Sequence, residues 1–218
     1  FLVQVRAMLR ANAATGNLSI LLPMVTSLDE VDEARRLIDR ASREVEEMIG
    51  YAIPRPRLGV MLEVPSMVFM LPQLANRVDF ISVGTNDLTQ YILAVDRNNT
   101  RVASMYDSLH PGVLRALAMI ARDAERFGID LRLCGEMAGD PAAAILLMAM
   151  GFDSLSMNAT NLPKVKWMLR QVDLGMAKDL LAQLMTIDNP QVIHSSLQLA
   201  LKNLGLTRMI NPASAKTL

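Results

Sequence analysis

Val78-Asp79-Phe80-Ile81-Ser82-Val83-Gly84-Thr85-Asn86-Asp87 passes from an apolar run to functional-group chemistry within a few residues. A run of this length followed at once by Gly-Thr-Asn-Asp reads as a strand that delivers polar side chains at its carboxyl end. The pattern recurs on both sides. Upstream, residues 58–64 end in Met61-Leu62-Glu63-Val64-Pro65. Downstream, residues 129–133 lead into Cys134-Gly135-Glu136, and residues 155–157 into Asn158. With residues 18–24 these make five predicted strands. Each is mostly continuous rather than alternating, as expected for strands covered on both faces.

Helical segments separate the strands. Ser27 and Glu30 fit a capping box, in which each side chain satisfies a free backbone donor of the first turn. Val31, Ala34, Ile38, Ala41, Val45 and Met48 then recur at spacings of three and four. A second helix starts at Pro111, turns Val113, Leu114, Leu117, Ile120 and Ala124 inward, and stops near Gly128. Asp140-Pro141 and Asn189-Pro190 are cap-plus-proline starts. Residues 162–206 read as almost wholly helical, residues 1–210 as one domain, and the tail 211–218 as disordered. Strand alternating with helix predicts an α/β fold with a parallel sheet. Five strands fit an open doubly wound sheet. They equally fit the last five units of a (βα)8 barrel whose first three lie upstream of Phe1. Spacing leaves both open.

Composition narrows the function classes. The chain has 218 residues, 51% of them hydrophobic, with Lys+Arg 22 against Asp+Glu 22 and a formal net charge of zero. That apolar content supports a real core. The balance of charge lacks the basic excess of a nucleic-acid binder or a polybasic membrane-surface protein. The longest stretch without charge, residues 11–28, contains Gly16, Asn17, Ser19 and Pro23 and does not read as a membrane span. A single cysteine, Cys134, excludes an internal disulfide framework and a multi-cysteine zinc site. It points to a reducing compartment, the cytoplasm. No P-loop and no G-x-G-x-x-G occurs. The start at Phe1, with no basic-then-apolar leader, reads as a piece of something longer.

In either architecture ligands sit at the carboxyl ends of the strands, so the residues there are the candidates. A carboxylate within Gly59–Val64, Glu63, is costly unless it is exposed, paired or bound to a cation. Asp87 stands at the corresponding end of the next strand, and two such carboxylates can share one hard cation such as Mg²⁺. Turn or cap chemistry is the plain alternative for Asp87. Arg97, in the polar loop Ala94-Val95-Asp96-Arg97-Asn98-Asn99, could clamp a phosphate or carboxylate, although charge alone does not separate it from Arg101. Cys134 is either a small buried apolar side chain or a nucleophile or proton donor at a strand end. His110 reads as a helix cap, and neither it nor His194 is assigned a catalytic role. Methionines in apolar runs, including Met61, Met67, Met70, Met148 and Met150, read as core fillers.

Three of these stretches carry a family likeness. Gly84-Thr85-Asn86-Asp87-Leu88-Thr89-Gln90-Tyr91, followed by Leu93-Ala94-Val95-Asp96-Arg97, resembles the signature of the phosphoenolpyruvate-utilising enzymes, and within them the enzyme I proteins of the phosphotransferase system. Cys134-Gly135-Glu136-Met137-Ala138-Gly139-Asp140 resembles their cysteine motif, and Met61–Pro65 their metal-glutamate strand. Leu22-Pro23-Met24-Val25 also fits, and the motifs stand in the family's order over nearly the whole chain. Tyr106–Pro111 resembles the nitrogen-related branch more than the sugar-transport branch.

The resemblance implies a (βα)8 barrel present as a truncated barrel of about the last five strand-helix units. It implies Glu63 and Asp87 as Mg²⁺ ligands, and Asn86, Asp87 and Arg97 as phosphoenolpyruvate-binding groups. Cys134 is then the acid that protonates the enolate as pyruvate forms. The phosphoryl-accepting histidine belongs to a separate N-terminal domain whose motif is absent, so this chain alone is expected not to turn over. Through that domain the implied partner is the histidine phosphocarrier protein, and the implied assembly is a homodimer. A pyruvate phosphate dikinase or phosphoenolpyruvate synthase, or a non-catalytic dimerisation module, is the alternative.

Overall fold

Alternate residues of five strands sort onto two chemically different faces, and that sorting builds the site. The computed structural model describes residues 1–206. Its strands are β1 (Ser19–Leu22), β2 (Arg57–Leu62), β3 (Phe80–Gly84), β4 (Asp130–Cys134) and β5 (Ser154–Ser156). All neighbours pair in parallel, in the order β1-β2-β3-β4-β5. One face carries Ile20, Val60, Leu62, Ile81, Val83 and Leu133, all buried in the core. Each such aliphatic side chain withdrawn from water contributes about 1.5–3 kcal/mol. The register Met61↔Ser82↔Arg132, followed by Gly84↔Cys134↔Ser156, puts the polar residues together on the opposite face.

A strictly sequential parallel order has no switch point, so the doubly wound alternative does not fit. The sheet is an arc of the (βα)8 type, five strands of a barrel that closes with eight. Coverage on both faces holds for β2 and β3 only. Along β4, Asp130, Arg132 and Cys134 are half-exposed while Leu131 and Leu133 are buried, so the polar face of that strand stays open.

The helices are α1 (Leu2–Thr15), α2 (Leu28–Ile49), α3 (Pro65–Val68), α4 (Leu71–Leu74), α5 (Thr85–Leu93), α6 (Pro111–Phe127), α7 (Pro141–Met150), α8 (Leu162–Leu169), α9 (Leu174–Leu184) and α10 (Pro190–Asn203). In α2 the Glu30 carboxylate accepts from the N–H groups of Thr26 and Ser27, and Val31, Ile38, Ala41 and Val45 are buried. Met48, expected inward, is exposed. Met70 is likewise at the surface, whereas Met67 is fully buried. The inward set expected of α6 is buried throughout, and His110 caps it by accepting from the Gly112 N–H. The structure adds α1, which packs Val5 and Leu9 into the same core. The tail expected at 211–218, and the end of the domain expected at 210, lie outside the described residues.

The far end of the polar face is closed by an ionic cluster. Arg57 and Arg132 flank the Phe80 ring, their guanidinium carbons 5.3 and 4.6 Å from its centroid. Both donate to Asp130 Oδ2, at 2.8 and 2.7 Å. The Phe80 ring lies over Gly59, where any Cβ would overlap it.

Candidate functional site

The carboxyl ends of β2, β3 and β4 and the first turn of α5 converge on one polar region. Glu63 follows β2 directly and is only 3% exposed. Its Oε1 accepts a 2.7 Å hydrogen bond from the backbone N–H of Met24, in the turn after β1. Its Oε2 lies against Gly84, close enough that a Cβ there would sit 2.7 Å away. Burial pushes the Glu63 carboxyl above the usual carboxylate range. The Met24 N–H and the Arg97 charge oppose that rise, and the Asp87 charge adds to it.

Asp87 is not at a strand end. Gly84 ends β3 and caps α5, which puts Asp87 in the first helical turn, where a negative charge meets free backbone N–H groups. Its Oδ1 pairs with Arg97 Nη1 at 3.2 Å. Arg97 returns to this position because Ala94, in the left-handed region at φ 52°, reverses the chain after α5. The backbone N–H of Arg97 is then tied to Gln90 Oε1 at 3.2 Å.

Asn86 Oδ1 accepts from the Glu136 N–H at 3.1 Å. Among the described residues its amide nitrogen keeps no partner. Asn86 borders a cleft of about 430 Å³ whose walls include Gly135, Glu136, Ser156, Asn158 and Asn161. The Tyr106 hydroxyl donates to the Asn86 carbonyl at 3.3 Å, and burial pushes that phenol up, which keeps it a donor. Cys134 ends β4, with its Sγ 3.6 Å from Ser82 Oγ and 3.5 Å from the Val83 carbonyl oxygen. Thr85 Oγ1 donates to the Cys134 carbonyl at 2.9 Å, tying β4 to α5.

The structure therefore brings together all five residues singled out from the sequence: Glu63, Asn86, Asp87, Arg97 and Cys134. It keeps apart the two histidines. His110 caps α6, and His194 of α10 sits 3.0 Å from both oxygens of Asp107. Sequence reasoning missed Met24, Ser82, Thr85, Tyr106 and Gly135 as parts of the site. Met24 acts through its backbone, which no side-chain pattern shows. Ser82 did carry a signal, as the lone hydroxyl inside an apolar strand.

Among the described residues no group of three or more His, Cys, Asp and Glu side chains converges as a metal cage. The residues present nevertheless fit a hard cation. Glu63 and Asp87 each engage one oxygen with the protein and leave the other without a protein donor among the described residues. The Gly84 cradle keeps space open at Glu63 Oε2. Two carboxylate oxygens of this kind, with remaining positions left to water and substrate, match Mg²⁺ coordination.

The chain resembles a citrate lyase of Burkholderia xenovorans in fold, with a TM-score of 0.56 at 18% identity, over 93% of this chain and 68% of that one. It is 76% identical over 180 residues to a protein of Salmonella typhimurium named "Phosphoenolpyruvate-dependent phosphotransferase system". That alignment takes in 83% of this chain and 24% of that protein. It is 39% identical over 191 residues to a "Phosphoenolpyruvate-protein phosphotransferase" of Cupriavidus necator, covering 88% and 32% respectively. The chain thus spans about a quarter to a third of the length of these relatives. The model "PEP-utilising enzyme, PEP-binding domain" matches residues 1–174, which include every strand, Glu63, the Thr85–Arg97 segment and Cys134. On that match the chain belongs to the PEP-utilising enzymes, within their PEP-binding domain.

Proposed function

We propose that this chain is the phosphoenolpyruvate- and Mg²⁺-binding part of a phosphoenolpyruvate-protein phosphotransferase of the enzyme I kind. One observation carries the reading: Glu63, Gly84 and Cys134 form a row across adjacent strand ends, with Asn86, Asp87 and Arg97 on the α5 segment beside it. Glu63 and Asp87 would hold the Mg²⁺, which when bound supplies charge neutralisation at the phosphate and enolate oxygens. Arg97 offers a planar fork of donors to the phosphoryl group, and the Asn86 amide nitrogen, without a partner among the described residues, a further one. Phosphoryl transfer needs positioning and charge compensation more than covalent help, and these residues supply both. Cys134 delivers the proton that turns the enolate into pyruvate.

The phosphoryl group passes to a histidine on a separate domain, and from it to the histidine phosphocarrier protein. The chain alone binds and does not turn over. Its far greater likeness to the Salmonella protein than to the Cupriavidus one supports a separate branch, which we take as the nitrogen-related one. A homodimer in the cytoplasm completes the reading. Among the described residues no helix is long and apolar enough to cross a membrane.

The test is calorimetric titration of phosphoenolpyruvate into the chain with and without Mg²⁺. Saturable binding that needs Mg²⁺, and is lost in a folded Asp87→Ala variant, supports the reading. Binding that survives Asp87→Ala sinks the site assignment.

A further inference from the structure

Among the described residues, Ser82 is the one hydroxyl on the buried part of the sheet's polar face. It is 6% exposed, in the middle of β3, between Ile81 and Val83. A buried hydroxyl is costly without a partner, and among the described residues its partner is the Cys134 sulfur, 3.6 Å away. That same sulfur lies 3.5 Å from the Val83 carbonyl oxygen. The thiol is thus held between one donor and one acceptor: Ser82 O–H points at the sulfur, and the S–H points at Val83. Gly84, the register partner of Cys134, has no side chain to intervene.

We propose that Ser82 is a positioning residue for proton delivery, one that prepares Cys134 to lose its proton by donating a hydrogen bond to the sulfur. The proposal rests on the reading of Cys134 as the enolate acid and deepens it. In the step itself the S–H bond breaks and a C–H bond forms at the terminal carbon of the enolate. The S–H electron pair remains on sulfur as a thiolate. The Ser82 hydrogen bond, modest to a neutral thiol, becomes a charge-assisted bond to an anion. It therefore favours the product side of the transfer, and its donor is already in place before the transfer begins. The Val83 carbonyl acts in the opposite sense and orients the S–H while the thiol is neutral.

The elements around the sulfur carry other charges: Glu63 after β2, Asp87 on α5, Arg132 on β4 and Glu136 in the following turn. β5 faces it with the uncharged Ser156. A comparison that changes only the Ser82 hydroxyl keeps all of them constant.

Cys134 is the only thiol of the 218-residue chain, so alkylation by iodoacetamide reports on it alone. The test is the alkylation rate across neutral to alkaline pH for the chain as it stands, for Ser82→Ala and for Ser82→Thr. No phosphoenolpyruvate is present. Ser82→Ala is expected to move the midpoint of the profile to higher pH and to slow alkylation near neutrality by about tenfold, the scale of one hydrogen bond to a charged group. Ser82→Thr, which restores the hydroxyl, is expected to return the profile toward the original. A folded Ser82→Ala variant with an unmoved profile overturns the proposal, even where Ser82→Thr fails to fold. That failure leaves the phosphoenolpyruvate reading intact. Loss of Mg²⁺-dependent ligand binding in the unaltered chain, with the alkylation shift present, overturns the function and not the hydrogen bond.

Discussion

Met24 holds its backbone at φ 53° to point its N–H at Glu63 Oε1, 2.7 Å away. The contact joins the turn after β1 to the end of β2 and fixes one oxygen of a carboxylate that the sheet has buried. Left-handed backbone is costly for a residue with a Cβ and tolerable for glycine. A β-branched side chain is the worst fit to it. Met24→Ile is therefore expected to destabilise the chain by about 1–3 kcal/mol, the range for an imposed backbone outlier. Met24→Gly should cost much less, because glycine adopts this backbone freely and the native side chain is already 45% exposed. Urea unfolding midpoints separate the two, and equal losses would mean that the side chain rather than the backbone matters here.

Gly84 is needed for space rather than for conformation, since its φ of −87° suits any residue. A Cβ there would stand 2.7 Å from Glu63 Oε2 and 3.2 Å from Met61 Cγ. Gly84→Ala is expected to cost about 1–3 kcal/mol by overpacking. It should also push the Glu63 carboxylate out of line with Asp87. The expected result in calorimetry is a loss of Mg²⁺-dependent phosphoenolpyruvate affinity at least as large as the roughly 10–100-fold seen for outer-shell changes at metal sites. Glu63→Gln should lose the same binding without the packing cost.

The same two residues show what was legible in the sequence. Glu63 stood out because a carboxylate inside an apolar run has few affordable fates, and the change from apolar to polar residues at the strand ends marked Asn86, Asp87 and Cys134 for the same reason. The five strands follow from short apolar runs that alternate with helical periodicity, but their sequential order does not, because that spacing fits a doubly wound sheet as well and the order shows only in the strand pairing. The helix α1 escaped because only Val5, Leu9 and Asn12 along it are buried, and it has neither a capping side chain nor an acidic first turn. The sequence places Asp87 at a strand end because no residue separates β3 from α5, so the change of period falls inside the motif itself. The clustering of Arg57, Phe80, Asp130 and Arg132 was out of reach, since Arg57 and Asp130 are 73 residues apart in sequence and meet only through register.

Arg97 and Asp87 separate function from stability. Their 3.2 Å ion pair is about 30% exposed on either side, and pairs in that setting stabilise by less than about 1 kcal/mol. Arg97→Ala should therefore leave the thermal unfolding midpoint nearly unchanged while removing phosphoenolpyruvate binding. Arg97→Lys should restore little of it, because an ammonium cannot present the planar fork. A lysine variant that binds as the parent does would show that only charge is required at this position.

Asp130 carries the clearest pH dependence away from the site. The Arg132 hydrogen bonds, and after them that of Arg57, hold its carboxyl down at about 2 against an ordinary 3.8. A depressed folded-state value means stability that is present above 3.8 and lost as pH falls toward about 2. With its partners partly in solvent, the contribution is about 1–2 kcal/mol after screening. Asp130→Asn should be less stable by that amount at neutral pH, and its melting curve should converge on the parent's as pH falls through the window. A constant gap across acid pH would mean that the loss does not come from the charge on Asp130.

Gly135 links the cysteine to the helix that presents Asn86 and Asp87. Its φ of 110° with ψ of 178° lies in a region open in practice only to glycine. A Cβ at this position would also overlap Thr85 Oγ1 and stand 2.9 Å from Asn86 Oδ1. Those two atoms are the ones that hold β4 and its following turn to α5, through the Cys134 carbonyl and the Glu136 N–H. Gly135→Ala thus meets two penalties at once, backbone strain and the loss of both tethers. The expected cost is about 3 kcal/mol or more, above the usual range for a single substitution. The two sources can be told apart. Thr85→Ser with Gly135→Ala relieves none of the strain and keeps the hydroxyl. Thr85→Ala alone removes one tether without strain and should cost only about 1–2 kcal/mol. If Thr85→Ala alone cost as much as Gly135→Ala, the tether rather than the backbone would be what glycine protects. If it cost far less, the strain at Gly135 would be what sets the position of Cys134 relative to Asn86.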